Sequence, residues 1–148
     1  MQWFQSYLDT SCTAALPDSP SQCWDAATLL PHIETPLFIA QNKFDSCQVQ
    51  YVLGWGMVIG NNSITNNWYR YYGEQSEVGA APILASKHHG LFMPACLQHT
   101  DNLCMRGGTV IEGFTLRDAM WNWYVNGSSV PRHLVEEGAL PVAGQCEC

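Results

Sequence analysis

An unbroken apolar run, Leu37-Phe38-Ile39-Ala40, stands between Pro36 and the polar pair Asn42-Lys43. Four apolar residues without alternation leave no polar face, so the run suits a strand covered on both sides. Pro36 lacks an amide hydrogen, which confines it to the start of such a strand. A second run, Gly90-Leu91-Phe92-Met93-Pro94-Ala95-Cys96, has the same character. Two strands of this kind fit a mostly parallel sheet with helices on both faces, which is α/β architecture.

Each run is followed by a residue with chemistry. Asp45 comes just after the first, and His99 comes three residues after Cys96. Open α/β sheets place their functional groups beyond the carboxyl ends of the strands. Strand, Asp, strand, His is also the order of the second and third members of an α/β-hydrolase triad. In such a triad a Ser attacks a carbonyl, the His takes and returns its proton, and the Asp orients the imidazole. Each residue has a plainer reading. Asp followed by Ser at a strand-to-helix junction is an N-cap pattern, and His99 also fits an ordinary loop histidine.

The other reactive residues carry less. His88 and His89 stand near His99 in sequence, but neighbouring side chains rarely ligate one ion and no acidic residue is spaced to help. No metal and no cofactor is therefore assigned. His32 and His133 lie in loop-like stretches. Cys47, placed mid-helix without a His close in sequence, reads as a buried, inert thiol.

Acidic residues number 13 against 6 basic, for a net charge of −7, with no basic cluster. That balance excludes nucleic acid as a partner. At 148 residues and 47% hydrophobic content, the chain fits one folded domain. Six Trp and six Tyr supply core area first, and such residues also line carbohydrate and lipid clefts. Seven cysteines without a Cys-x-x-Cys pair point to disulfides rather than zinc, hence to an oxidising compartment. Cys12 and Cys23 bracket a Pro- and Ser-rich loop whose closure is worth about 3 kcal/mol. Asn61-Asn62-Ser63 and Asn126-Gly127-Ser128 are glycosylation sequons. No signal peptide opens the chain and no run reaches transmembrane length. The conflict between secretory cysteines and a missing secretory signal resolves if residues precede Met1 in the complete protein.

Further elements follow from spacing. Residues 2–8 read as the end of a helix, 17–21 as a loop, and 23–30 as a short helical turn halted before Pro31. Val49, Val52 and Leu53 give residues 46–55 helical spacing. Residues 61–67 read as a polar loop, 68–72 as a short helix ended by Gly73, and 76–82 as loop. The clearest helix starts at Thr115, with Asp118 three positions on as a capping-box variant. Leu116, Ala119, Met120, Trp123 and Tyr124 make its apolar stripe, and Asn126-Gly127 stops it. The tail after Pro131 is poorly patterned, and its order is expected to depend on its cysteines.

Several blocks, in this order, resemble the carboxyl-terminal part of the pectin acetylesterase / Notum family of carboxylesterases. They are Cys12 and Cys23 around a loop, the stretch from Pro31 through Ile39, Phe44-Asp45-Ser46-Cys47-Gln48, Pro94-Ala95-Cys96-Leu97-Gln98-His99, and a closing helix with Ile111, Gly113, Thr115, Ala119, Trp123 and Tyr124. The resemblance implies an α/β-hydrolase-like fold and triad roles for Asp45 and His99. It implies a secreted enzyme acting on acetylated cell-wall polysaccharide, with a lipid-modified protein, as in the Notum branch, as the alternative substrate. The family's nucleophile lies upstream in a Gly-x-Ser-x-Gly-type elbow. No such motif occurs here, and Gly127-Ser128-Ser129 is not one. Residues 1–148 are thus expected to be the carboxyl-terminal portion of one esterase domain, inactive without the missing amino-terminal part. Cys47 departs from the family pattern and becomes the candidate free thiol. Cys104 is available to pair with Cys96 or a terminal cysteine. Two rivals remain: a disulfide-stapled carbohydrate-binding module, and a relative that kept the fold without the activity.

Overall fold

The computed structural model describes residues 7–52, 63–99 and 108–141. Strands β1 (Phe38–Ala40), β2 (Gly90–Met93) and β5 (His133–Val135) form a parallel sheet in the order β1-β2-β5. Ile39 pairs with Leu91, and Phe92 with Leu134. The central strand β2 is buried along its whole length, which is why its sequence does not alternate.

The two faces of β2 separate the core into two layers. Leu91 and Met93 pack with Leu30, Ala80 and Ile83. These partners come from the first residue of a 3-10 turn (Leu30–His32), which follows α2 (Ala26–Leu29), and from α3 (Ser63–Leu84). Phe92 and Leu134 point the other way, onto Ile111, Leu116 and Ala119. Those belong to the short hairpin β3 (Val110–Ile111)–β4 (Phe114–Thr115) and to α4 (Leu116–Tyr124). Period-2 alternation thus feeds both layers from one strand. This three-stranded sheet with helices on both faces agrees with the α/β expectation, on a smaller scale than a complete hydrolase sheet.

Helix α4 begins as expected. The Thr115 hydroxyl accepts from the Asp118 amide, and the Asp118 carboxylate accepts from the Thr115 amide. Its buried face is narrower than the apolar stripe, however: Leu116, Ala119 and Asn122 are buried while Met120 and Tyr124 are exposed. Asn126 ends the helix in the left-handed region, at φ 53°.

Three expectations are corrected in whole or in part. Residues 63–84 form one helix of 22 residues, not a loop, a short helix and a second loop. Gly73 does not end it, and Pro82 lies inside its last turn. Tyr69, Gly73, Ala80 and Ile83 are buried at 4-, 7- and 3-residue steps, and that continuous face outweighs the local cost of Gly and Pro. Helical turns run on past Pro31, the second residue of the 3-10 turn Leu30–His32, although α2 itself stops before it at Leu29. The tail carries β5, held by backbone bonds from Leu91 N–H to Arg132 O (3.0 Å) and from Glu136 N–H to Met93 O (2.9 Å). The reading of residues 2–6 as helix lies outside the described residues, as do the sequon at Asn61, Cys104 and the two terminal cysteines.

Cys12 and Cys23 are joined in a disulfide, linking α1 (Thr10–Ala15) to the 3-10 turn Pro20–Trp24. Both sulfurs are buried. Replacing both residues with Ala is expected to lower stability by about 2–4 kcal/mol, because the unfolded chain regains the closed loop's freedom. Urea unfolding midpoints of the oxidised chain and the double variant measure this. An unchanged midpoint would mean the bridge merely decorates a segment that unfolds independently.

Candidate active site

The segment after β1 stays alongside the segment after β2. Gln41 N–H donates to Phe92 O (3.1 Å), Lys43 N–H to Pro94 O (2.9 Å), and Phe44 N–H to Cys96 O (3.2 Å). The Asn42 side-chain amide, itself buried, donates to Gln98 O at 2.7 Å. This ladder carries Asp45 and His99, 54 residues apart, to the same edge. It is the carboxyl edge of the parallel strands, as the topology of open α/β sheets requires.

There His99 Nδ1 lies 3.0 Å from Asp45 Oδ1 and 2.9 Å from Oδ2. An ionised carboxylate only accepts, so Nδ1 donates to Asp45, and a neutral ring so held has its lone pair on Nε2. The Asp45 side chain is 7% exposed and that of His99 is 48% exposed. The acid is therefore sheltered while the imidazole faces outward. Asp45 Oδ1 also accepts from Gln48 N–H at 2.9 Å. Asp45 thus caps a helical turn and hydrogen-bonds an imidazole at the same time.

Burial works against the Asp45 charge, but the Gln48 amide and the His99 ring more than offset it and hold its carboxyl below the usual range. The nearby Tyr72 hydroxyl is pushed up to about 12, first by burial and then by the negative charge of Asp45. It stays protonated and donates to Gln48 Oε1 at 2.7 Å. A depressed folded pKa stabilises the native state above about pH 4, the unfolded value, and that contribution is lost as pH falls through the folded value. Acid titration of the wild type and of Asp45→Asn, followed by the urea midpoint, should therefore diverge above about pH 4 and converge below it.

The other sequence candidates are placed differently. His89 is buried at the amino end of β2, where its Nδ1 accepts from Leu37 N–H at 3.2 Å. His88 is exposed beside it. Both sit at the opposite end of the strand from His99, so the three histidines do not converge. His32 and His133 make local contacts with Ser11 and with His89 O. Cys96 is disulfide-bonded. Cys47 is a free thiol, as the departure from the family pattern implied, but it is neither mid-helix nor fully buried. It lies in the first turn after Asp45, and spacing in sequence gave no sign that it approaches His99. Gln41, whose side-chain amide is 3.4 Å from Asp45 Oδ2, and Asn42 were also missed, because their roles arise only when the two loops pair.

A parallel sheet with helices on both faces, carrying a hydrogen-bonded Asp–His pair at its carboxyl edge, defines an α/β protein. The chain matches the pectinacetylesterase family over residues 1–147, and it belongs to that family. Membership carries an α/β-hydrolase-like fold and points to carboxylic ester hydrolysis. Among the described residues no helix is long and apolar enough to cross a membrane.

Proposed function

We propose that this chain supplies the Asp and His of a Ser-Asp-His carboxylesterase that deacetylates pectin or another cell-wall polysaccharide, outside the cell. The observation that carries the reading is the hydrogen-bonded Asp45–His99 pair with its outward-facing ring. A serine from the amino-terminal part of the same domain would attack the acetyl carbonyl. His99 Nε2 takes the serine proton, and the buried Asp45 carboxylate stabilises the resulting imidazolium. Collapse of the tetrahedral intermediate expels the sugar oxygen, which takes the proton back from His99. Water, deprotonated by the same imidazole, then releases acetate and regenerates the serine.

The decisive preparation is this segment joined to the coding sequence upstream of Met1. Acetate release from acetylated pectin is expected from that protein and not from residues 1–148 alone, because loss of the serine costs roughly 10⁶-fold. Release from an acylated peptide in preference to pectin would move the substrate to the Notum-like alternative. A second reading, a non-catalytic carbohydrate-binding module, draws on exposed aromatic pairs. Trp121 and Tyr124 lie 6.0 Å apart and tilted by 33°, and both are exposed. Pectin binding by the 148-residue chain, with no acetate release from the joined protein, would favour it.

A further inference from the structure

The Asp45–His99 pair has a third neighbour that ester hydrolysis does not use. Cys47 is free, partly buried, and follows Asp45 in the turn that Asp45 caps. An Asp45 oxygen, Cys47 Sγ and a His99 ring nitrogen all lie within 4.8 Å of one another. Among the described residues no other three His, Cys, Asp or Glu side chains converge this closely.

We propose that Asp45, Cys47 and His99 form a Zn²⁺ site, and that an ion bound there switches the esterase off. The donor set decides the metal. One thiolate, one imidazole and one carboxylate suit Zn²⁺, whereas Mg²⁺ and Ca²⁺ take oxygen ligands. Ligands at zinc distances in tetrahedral array stand roughly 3.3–3.6 Å apart. Asp45 and His99 already meet at 2.9 Å and need only part slightly, and the other pairs, within 4.8 Å, need to close by no more than roughly 1.2–1.5 Å around an ion. The thiolate and carboxylate together balance the double charge. The Gln48 amide and the Gln41 side chain hold the Asp45 carboxylate in place from outside the trio. The half-exposed His99 side chain leaves an approach for the ion and room for water as fourth ligand.

Inhibition follows from the imidazole. An ion on Nε2 removes the lone pair that must accept the serine proton. An ion on Nδ1 breaks the bond to Asp45 and the orientation it provides. Either way His99 stops acting as a base. The binding claim stands apart from the proposed hydrolysis, and only the inhibition claim rests on it.

The test uses the full chain with Cys47 reduced and Co²⁺ as a coloured stand-in for Zn²⁺. Wild-type protein should develop a thiolate-to-cobalt charge-transfer band that added Zn²⁺ bleaches. Cys47→Ser should lose the band, and His99→Ala and Cys47→Ser should each weaken Zn²⁺ binding by about 100-fold or more in competition with a chromogenic chelator. Circular dichroism checks that both variants fold. A folded Cys47→Ser chain that binds Zn²⁺ as tightly as wild type overturns the proposal, because other cysteines are then the ligands. In the upstream-joined protein, Zn²⁺ should reduce acetate release by wild type and leave the rate of Cys47→Ser at its own metal-free level. Cys47-dependent binding without any esterase activity would sink the hydrolysis reading alone. An active esterase with Cys47-independent binding would sink the zinc site alone.

Discussion

His99→Ala, placed in the upstream-joined protein, is expected to lower kcat for p-nitrophenyl acetate by roughly 10⁶-fold, and Asp45→Asn by roughly 10⁴-fold. The difference between the two follows from the roles proposed for them. His99 handles the proton in both half-reactions, so its loss disables attack and departure alike. Asp45 sets the tautomer and stabilises charge, and an Asn amide in its place can donate to Nδ1, leaving the proton on the wrong nitrogen. Asp45→Asn is the more informative variant, because Asn caps a helical turn about as well as Asp. The bond from Gln48 N–H at 2.9 Å can persist, and stability should change by about 1 kcal/mol or less. A large fall in kcat with a small change in melting temperature and KM assigns Asp45 to the chemistry. If Asp45→Asn keeps most of the rate while Asp45→Ala unfolds readily, the residue is a cap and the reading of the site fails.

The elements legible in sequence were those with a strong local or composition signal. β1 and β2 were visible because packing on both faces keeps polar residues out of a strand, fully buried in β2 and half-buried in β1. α4 was visible through Thr115 and Asp118, which act over three residues. α3 was hidden because Gly73, Gly79 and Pro82 are local signals against a helix, whereas its support comes from Phe44, Leu91 and Met93, which lie in other segments. The β3–β4 hairpin turns at Glu112 and Gly113, both at positive φ (52° and 87°). Such turns are usually announced by Asn-Gly or Asp-Gly, and Glu112 gave no warning. β5 is three residues long and was too short to show a period. The same logic applies to the site. Strand order placed Asp45 and His99 at one edge, but the approach of Cys47 and the bracing by Asn42 depend on how two loops pair, which no local pattern encodes.

Phe44 connects α3 to the edge that carries Asp45 and His99, and truncating it to Ala is expected to cost about 3–5 kcal/mol. Its ring is fully buried, packs edge-on against Tyr69 with centroids 6.3 Å apart, and shares a cluster with Val49 and Ala95. Gly73 exists to admit it: a Cβ there would stand 2.6 Å from Phe44 Cε1 and 3.0 Å from Cζ. Gly73→Ala is therefore expected to destabilise by about 1–3 kcal/mol through overpacking, even though Ala is the better helix former. Gly79→Ala is the control, since a Cβ there meets nothing within 4 Å, and it should stabilise by up to about 1 kcal/mol. Leu has neither a Cε nor a Cζ atom, so Phe44→Leu removes the atoms that Gly73→Ala would strike. The double variant Phe44→Leu/Gly73→Ala should then be less unstable than the sum of the two single changes, by about 0.5–3 kcal/mol in a thermodynamic cycle. Phe44 immediately precedes Asp45, so Gly73→Ala should also lower kcat without changing any group that touches substrate, and Phe44→Leu should recover part of that loss. Strict additivity in stability would show that the ring and the helix do not press on each other, and that the Asp45–His99 edge is positioned by the loop ladder alone.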